Sequence, residues 1–257
     1  MAVRSSLERW SPWVVLAAII LVWEVVCRAF HVSDFIFPAP SGIVASLRQY
    51  AGPITGHALQ TFWSTMAGFV LGVTVGVLLG FLVGSSRLMY NALYPLMVGF
   101  NSIPKSAFVP ILVVWFGIGT VPAILTAFVI CFFPITVNVA TGLATIEPEL
   151  EDVLRALGAS KLDIMRKVGI PRTLPYFFGS LKIAITLAFV GSVISESIAS
   201  NYGIGNLMLQ AQAQFQVPLI FAGLVALAVE GIVMYWLMAI LEARMTGWAQ
   251  RSGFAQT

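Results

Sequence analysis

Charged side chains are scarce in this sequence of 257 residues: Asp, Glu, Lys and Arg make up 10% of it, whereas 59% of it is apolar. A soluble domain carries about 25% charged residues. The chain therefore has too few polar residues to cover a water-facing surface of its size, and we predict an integral membrane protein. About six spans of roughly 20 residues each would use up the apolar residues. That leaves no room for a large catalytic domain outside the bilayer.

Residues typical of catalytic, metal and nucleotide sites are also few. The only cysteines, Cys27 and Cys131, lie in apolar runs and give no disulfide framework. The sequence has no Gly-Lys dipeptide and hence no phosphate-binding loop of the G-x-x-x-x-G-K-[ST] type. His31 and His57 are far apart and form no metal-binding pattern. We expect no catalytic residues, no metal and no cofactor in this chain, and no binding of nucleic acid.

Long apolar runs are what the sequence has instead, and they predict an all-α protein that crosses a membrane six times. We expect the third span to be broken by Pro95, Pro104 and Pro110 and to carry Lys105. The predicted spans are Trp13–Phe30, Phe62–Val83, Leu93–Phe116, Val121–Thr141, Tyr176–Ala199 and Pro218–Leu241.

The positions of the basic residues predict the orientation. With the amino terminus inside, eleven of the 14 Lys and Arg lie in inner segments and only Arg28 and Arg48 lie in outer ones. This asymmetry places both termini in the cytoplasm. We divide the chain into residues 1–61, with the tail, first span and an outer amphipathic stretch, and a five-helix core at 62–257. The other outer stretch, 200–217, is polar and rich in glutamine.

Glycines recur every fourth residue along the second span and form a stripe on one helix face. Such a stripe lets another helix backbone approach closely. Packing within one bundle and contact with a second subunit both fit this pattern, and the first is favoured. The glycines are Gly68, Gly72, Gly76, Gly80 and Gly84.

The segment 147–172 holds ten of the 25 charged residues of the chain. Pro148 is placed to open a helix and Gly158 to end it in a left-handed cap. Ser160 and Asp163 resemble a capping box that starts a second short helix, which we expect Pro171 to stop. Two interpretations fit this pattern: a linker resting on lipid headgroups, or a helix that docks in a groove on a cytoplasmic partner.

Residue identities favour the second interpretation, because the segment resembles the cytoplasmic loop of ABC importer permeases. That loop runs Glu-Ala-Ala, three residues, Gly, nine residues, Ile-x-Leu-Pro. Here Asp152, Val153 and Leu154 stand at the first three places, Gly158 at the glycine, and 168–171 at the closing element. The glycine and proline keep the required separation, whereas Asp-Val-Leu departs from Glu-Ala-Ala.

Three further motifs look like the branch of this family that imports nitrate, taurine, alkanesulfonates and thiamine-precursor pyrimidines. They are Phe37-Pro38-Ala39-Pro40-Ser41, then Ile103-Pro104-Lys105 with Pro110 and Trp115-Phe116-Gly117-Ile118-Gly119, and Glu196 with Tyr202-Gly203-Ile204-Gly205. The resemblance implies the type I importer fold in a bacterial inner membrane. It implies a homodimer of permeases, two cytoplasmic ATPase subunits that hold ATP and Mg, and an external binding protein. The binding protein would deliver a small solute, which the permease would move inward by alternating access.

The resemblance also implies a coupling helix that inserts into a groove of the ATPase. Here the helix would comprise Glu151 to Ala159. Leu154 and Leu157 would be its apolar anchors, Asp152 and Arg155 its orienting charges, and Gly158 its turn.

Ionisable residues inside the spans are costly and mark candidate functional positions. Lys105, beside Asn101 and Ser102, either offers a positive charge to an anionic substrate or pairs with a glutamate or the headgroups. Glu196 is a candidate for an outer gate or an interhelical ion pair. Glu24, Glu230 and Asn138 are expected to make structural contacts. The residues for these alternatives are Glu24, Asn101, Ser102, Lys105, Asn138, Glu196 and Glu230.

Two other functions compete with the importer. A secondary transporter would couple ions through Glu196 and Glu230, and a membrane scaffold would use the glycine stripe. Only an ATP-driven importer gives a reason for the charged helix pair at 147–172, so we expect the importer permease.

Overall fold

The computed structural model of the chain describes residues 6–144 and 148–253, and the regular structure within these ranges is helical throughout. A 3-10 turn at Lys105–Ala107 precedes α5, and a π-helical turn at Met165–Gly169 joins α8 to α9. The helices are α1 (Ser6–Ala29), α2 (Pro40–Gln49), α3 (Ala51–Gly84), α4 (Arg87–Asn101), α5 (Phe108–Phe116), α6 (Thr120–Ala144), α7 (Pro148–Ala156), α8 (Lys161–Ile164), α9 (Ile170–Ala199), α10 (Ile204–Ala213) and α11 (Val217–Gly253).

Five helical stretches of the described chain are long and apolar enough to cross a bilayer, and α4 with α5 forms a sixth if the pair counts as one bent span. The register of α3 and α6 shows that it does. Gly68 lies against Ala127 and Gly80 against Val139, so the two helices run parallel at matching depth. Because α3 and α6 point the same way, the chain between them must cross back, and α4 and α5 supply that crossing.

The centre of the bundle is formed by α3, α6 and α9, with α11 packed on α9. Phe69, Ile135, Ile185 and Met234 contribute one buried side chain from each of these helices. The first helix lies at the edge, since most of its apolar side chains are exposed. We call the end of the bundle that carries α7 and α8 the loop end, and the opposite end, where α2 and α10 lie, the far end.

The polar outer stretch 200–217 includes a helix that the apolar runs did not predict. This stretch contains α10, which presents Leu207 and Ala211 to a second apolar cluster at the far end. Ile43 of α2, Ile54 of α3 and residues of α11 complete that cluster. The glutamines of α10 hid the apolar face because they raise the average polarity while lying on its other side.

The helices of all six predicted spans begin before their apolar runs, and α3 and α9 show why. The second span starts at Ala51, because Ile54 is buried in the far-end cluster. Helix α9 begins at Ile170, so the expectation that Pro171 stops a helix is wrong. In the π turn the N–H of Ile170 donates to the carbonyl of Met165, five residues back. This wider turn accommodates a proline ring that would collide with the preceding turn of a regular helix.

The third span is broken, but only one of the three prolines marks the break. Pro95 lies inside α4, and Pro110 is the third residue of α5, where a helix has no N–H partner to lose. The chain bends by 76° around residues 102–104. Pro104 keeps Ile103 from continuing the helix, because the residue before a proline disfavours the α conformation.

Candidate functional site

The helix pair at the loop end is built by local capping. After α7 the backbone of Gly158 takes a φ of +85°, which favours glycine. The N–H of Gly158 donates to the carbonyl of Arg155 at 2.9 Å, and that of Ala159 donates to the carbonyl of Leu154 at 3.0 Å. These two bonds form a Schellman motif, which ends the helix and reverses the chain.

The second helix of the pair begins with a capping box. The N–H of Asp163 donates to Ser160 Oγ at 3.2 Å, and the N–H of Ser160 donates to Asp163 Oδ2 at 3.3 Å. From Lys161 the helical backbone then continues through the π turn into α9. The turn at Gly158 is therefore joined directly to a membrane-spanning helix.

The surface of this helix pair is unusually apolar for an exposed segment. Val153, Leu157 and Leu162 are 56%, 78% and 67% exposed, whereas Leu154 is half-buried. Among the described elements, α7 makes substantial contact with α8 alone. The pair thus projects from the bundle with three large aliphatic side chains open to contact.

The expected coupling residues lie together on this projection. Asp152, Arg155 and Gly158 are exposed and Ala159 is half-buried, while Arg155 also has an interaction partner. Glu147 and the side chain of Glu151 lie outside the described residues.

Lys105 lies at the break in the third span and points back at the end of α4. Its Nζ donates to the carbonyls of Asn101 at 2.6 Å, Ile103 at 2.9 Å and Phe100 at 3.2 Å. The same ammonium lies 5.5 Å from the ring centre of Phe100, a favourable cation–π distance. Lys105 therefore caps the C-terminus of α4, where a positive charge is stabilising. Its described contacts include no glutamate.

The break lies near the middle of the bundle. The ring of Phe100 is 5.9 Å from that of Phe132, and Phe132 of α6 lies level with Gly72 and Gly76 of α3. Asn101 and Ser102 are exposed at this depth. Irregular backbone within a membrane is tolerated only where it is covered by protein or lines water. This side of the chain is therefore incompatible with lipid.

Glu196 is almost completely buried near the far end, at 1% exposure. Its Oε2 accepts hydrogen bonds from Thr61 Oγ1 at 2.8 Å and from the N–H of Gly205 at 3.3 Å. Ser192 Oγ donates to Oε1 at 3.4 Å. The alternative of an ion pair for Glu196 is wrong for the described chain, since its partners are hydroxyl and amide groups.

The other polar residues singled out within the spans are Glu24, Glu230 and Asn138. They make structural contacts or have no hydrogen-bond partner among the described residues. Glu24 binds Arg28 at 2.6 Å and accepts from the N–H and hydroxyl of Ser41, which ties α1 to the start of α2. Both carboxylate oxygens of Glu230 are buried and have no partner among the described residues. Asn138 Nδ2 donates to the carbonyl of Pro134 in its own helix, and the expected hydrogen bond to another helix is absent among the described residues.

The glycine stripe faces α6 of the same chain. A Cβ added at Gly72 would lie 2.2 Å from Cys131 Sγ, and one at Gly68 would lie 2.5 Å from the carbonyl oxygen of Ile124. Both distances are shorter than any normal contact. The helices can approach this closely because the glycines have no side chain.

Two residues near Glu196 take roles that the sequence did not predict. Thr61 holds Glu196, and His57 Nδ1 lies 2.9 Å from the carbonyl oxygen of Gly203. Thr61 and Glu196 are 135 positions apart in sequence. Only the glycines at 203 and 205 hinted at a close approach of backbone in this region.

The sequence matches the family model described as "binding-protein-dependent transport system inner membrane component" over residues 72–247. The chain belongs to this family, and it is a multi-pass inner-membrane protein of the permease class. The comparison confirms the predicted family and, with the helices described above, the predicted membrane fold. Groups of three or more metal-binding side chains are absent from the described residues.

Relatives of the chain that are named for a solute are named for different ones. A probable ABC transporter permease of Haemophilus influenzae is 31% identical, with 88% of this chain and 92% of the relative covered. The formylaminopyrimidine transport permease ThiX of Halalkalibacterium halodurans is 28% identical over 96% and 99% of the two chains. The nitrate import permease NrtB of Leptolyngbya laminosa is 33% identical over 72% and 70%.

A solved structure shares the fold. The inward-facing MetNI methionine ABC transporter contains a chain that is 24% identical, with a TM-score of 0.57, and the match covers 76% of this chain and 94% of that one. This likeness confirms the predicted type I importer permease fold.

Proposed function

We propose that the chain is the permease subunit of an ATP-driven importer and that its loop end docks on a separate cytoplasmic ATPase. The observation that carries this proposal is the projecting helix pair with Val153, Leu157 and Leu162 exposed. An aqueous projection gains nothing from three exposed aliphatic side chains, whereas an apolar groove on a partner would bury them. The segment 151–159 is then the coupling helix.

The geometry of the pair suits the transmission of force. Helix α7 is short and closed by the Schellman motif at Gly158, and α8 continues into α9. A push on the helix pair would therefore reach a membrane-spanning helix without an intervening loop. Alternating access would follow from ATP-driven movement of two partner subunits, in which ATP and Mg bind.

The break at 102–104 supports a second copy of the chain as partner. Asn101 and Ser102 are exposed near mid-depth, where lipid would leave polar groups without partners. A homodimer that brings two such breaks together would cover them and enclose a polar path. Asn101, Ser102 and Lys105 would then line the route of the solute.

Charge along this route favours a small anion as the solute. The sequence has no Asp or Glu between Asp34 and Glu147, so the ammonium of Lys105 faces no carboxylate from α3, α4, α5 or α6. A nitrate-like, sulfonate-like or taurine-like solute fits this charge, and a thiamine-precursor-like compound is the alternative suggested by ThiX. An external binding protein would deliver the solute to the far end.

The test is co-purification of the chain with the ATPase subunit, combined with ATP-dependent uptake in vesicles. Gly158→Val forces a β-branched residue into a left-handed conformation, which costs at least about 1–2 kcal/mol. We expect ATPase binding to weaken on the order of tenfold, and deletion of 151–159 to abolish both binding and uptake.

Gly52→Val is the matched control, because a Cβ added at Gly52 would have no neighbour within 4 Å and this residue lies in a helix at the far end. It should leave complex and uptake intact. Undiminished binding and uptake in both loop variants would contradict the proposed function.

A further inference from the structure

Helix α10 has no cap of its own and is held at its N-terminus by side chains from two other helices. Its N-cap residue is Gly203, which has no side chain to offer. The N–H of Ile204 donates to Thr61 Oγ1 of α3 at 2.9 Å, and the N–H of Gly205 donates to Glu196 Oε2 of α9 at 3.3 Å. Thr61 Oγ1 in turn donates to Glu196 Oε2 at 2.8 Å. One hydroxyl and one carboxylate thus satisfy the first free N–H groups of α10.

The backbone of α10 approaches these side chains too closely for any residue but glycine. A Cβ at Gly203 would lie 2.1 Å from Glu196 Cδ, and the φ of Gly203 is +101°. A Cβ at Gly205 would lie 2.6 Å from the carbonyl oxygen of Val193. The two glycines therefore serve to seat α10 against Glu196.

The turn between α9 and α10 is also fixed by hydrogen bonds. Asn206 Nδ2 donates to the carbonyl of Ser200 at 2.7 Å, and Ser200 Oγ donates to the carbonyl of Tyr202 at 2.8 Å. Helix α9 itself continues without a gap through the π turn and α8 to Lys161, just past Gly158. Lys161 and Glu196 are separated by roughly 50 Å of helix at 1.5 Å per residue. Helical backbone, with the π turn inside it, thus runs unbroken from the loop end to the cap of α10.

We propose that Thr61 and Glu196 are positioning residues that make α10 move with α9, so that nucleotide-driven movement at the loop end controls access at the far end. This inference rests on the proposed function and adds to it the outer element that moves and the residues that couple it. It requires that α10 can take two positions. Movement at either end of α9 must shift the equilibrium between them. Leu209 and Gln212 lie on an exposed face of α10, and the proposed function brings the solute and the binding protein to this end of the bundle.

The experiment uses the full chain assembled with its ATPase subunits in lipid vesicles. A single reporter, Gln212→Cys, is labelled with a membrane-impermeant maleimide, without nucleotide and after trapping with ATP and vanadate. Cys27 and Cys131 are buried and should contribute little background. We expect the labelling rate to change about fivefold or more between the two states. Thr61→Val should remove most of this change while the assembled complex keeps its basal ATPase activity.

Thr65→Val is the matched control. Thr65 lies one turn further along α3 and is as completely buried as Thr61, but its hydroxyl has no hydrogen-bond partner among the described residues. The control should keep the full nucleotide response, and Thr61→Ser, which retains the hydroxyl, should restore it. A purely structural loss would lower complex yield in Thr61→Val rather than the response alone.

Four outcomes separate the possibilities. An equal response in Thr61→Val and Thr65→Val overturns the inference, and so does a reporter that ignores nucleotide in the unmodified complex. If Thr61→Val does not assemble, Glu196→Met takes its place, because it has no oxygen to accept the N–H of Gly205. A full response in that variant overturns the inference. Failure of the unmodified chain to bind an ATPase overturns the proposed function and, with it, this inference.

Discussion

At the scale of single residues, the glycine stripe gives the sharpest prediction of stability. Gly72→Ala places a methyl group 2.2 Å from Cys131 Sγ, so either the thiol must rotate out of its packed position or α3 and α6 must separate. Overpacking of this kind costs about 1–3 kcal/mol. We expect the midpoint of thermal unfolding in detergent to fall, as measured by the fluorescence of the native tryptophans.

A control and a rescue make this prediction specific. Gly56→Ala makes the same chemical change on the same helix where no atom lies within 4 Å, and it should be neutral or stabilising. Cys131→Ala removes the colliding sulfur and should recover part of the loss when combined with Gly72→Ala. An unchanged midpoint for Gly72→Ala alone would show that the two helices do not pack as described.

Residues that act locally were predictable, and residues that act across the fold were not. Gly158 and the Ser160–Asp163 box were recognised because a cap is formed within a few positions of sequence. The partner of Glu196 was not found, because Thr61 is 135 positions away in sequence and a single threonine beside an apolar run has no distinctive pattern. An ion pair was one of two predictions for Glu196, because a charged side chain inside a membrane is costly without a partner. In the structure, hydroxyl and backbone N–H groups donate to the carboxylate instead.

At the scale of helices, apolar length predicted which segments cross the membrane but not where each helix ends. Helix α10 was missed because its glutamines outweigh its apolar face in an average over the segment. Pro171 was misjudged because a π turn accommodates a proline that a regular helix rejects. Apolar runs indicate which residues lie within the hydrocarbon core of the membrane. The positions at which helices begin and end are determined by packing and capping.

We predict that Lys105 holds the bend between α4 and α5 at its angle. Lys105→Met keeps the aliphatic stem but removes the donors to the carbonyls of Phe100, Asn101 and Ile103. We expect the bend to lose its fixed angle, because those carbonyls lose a charged donor. Spin labels at Leu96→Cys and Val114→Cys, both on exposed positions, would report a broader distance distribution by pulsed electron paramagnetic resonance.

Lys167→Met is the control for this change, because it removes the same charge from an exposed position in the π turn, away from the bend. It should leave the distances between the two labels unaltered. Lys105→Arg keeps a cationic donor and should preserve a narrow distribution. A narrow, unshifted distribution in Lys105→Met would mean that Pro104 alone fixes the bend.

At the scale of the whole molecule, the parallel register of α3 and α6 decides the topology. The constant offset between the glycines of α3 and their partners on α6 requires a full crossing between the two helices. The bent pair of α4 and α5 supplies it, which accounts for six spans. The same pair then places irregular backbone and exposed polar groups near mid-membrane, a combination that a single copy surrounded by lipid would not satisfy.

Water access to the break tests this arrangement in the assembled protein. In vesicles, we expect Asn101→Cys to react with a small hydrophilic thiol reagent, because the proposed homodimer encloses a polar path against this residue. Leu71→Cys is the control, since it lies at a similar depth on an exposed, apolar position of α3 and should face lipid, where a thiol stays protonated and unreactive. We expect the reaction at residue 101 to be at least about tenfold faster, as a difference of about 1.4 kcal/mol in access would give. Equal, slow reaction at both positions would place the break against a dry surface, and Asn101, Ser102 and Lys105 would then hold the fold of the third span without lining a path for solute.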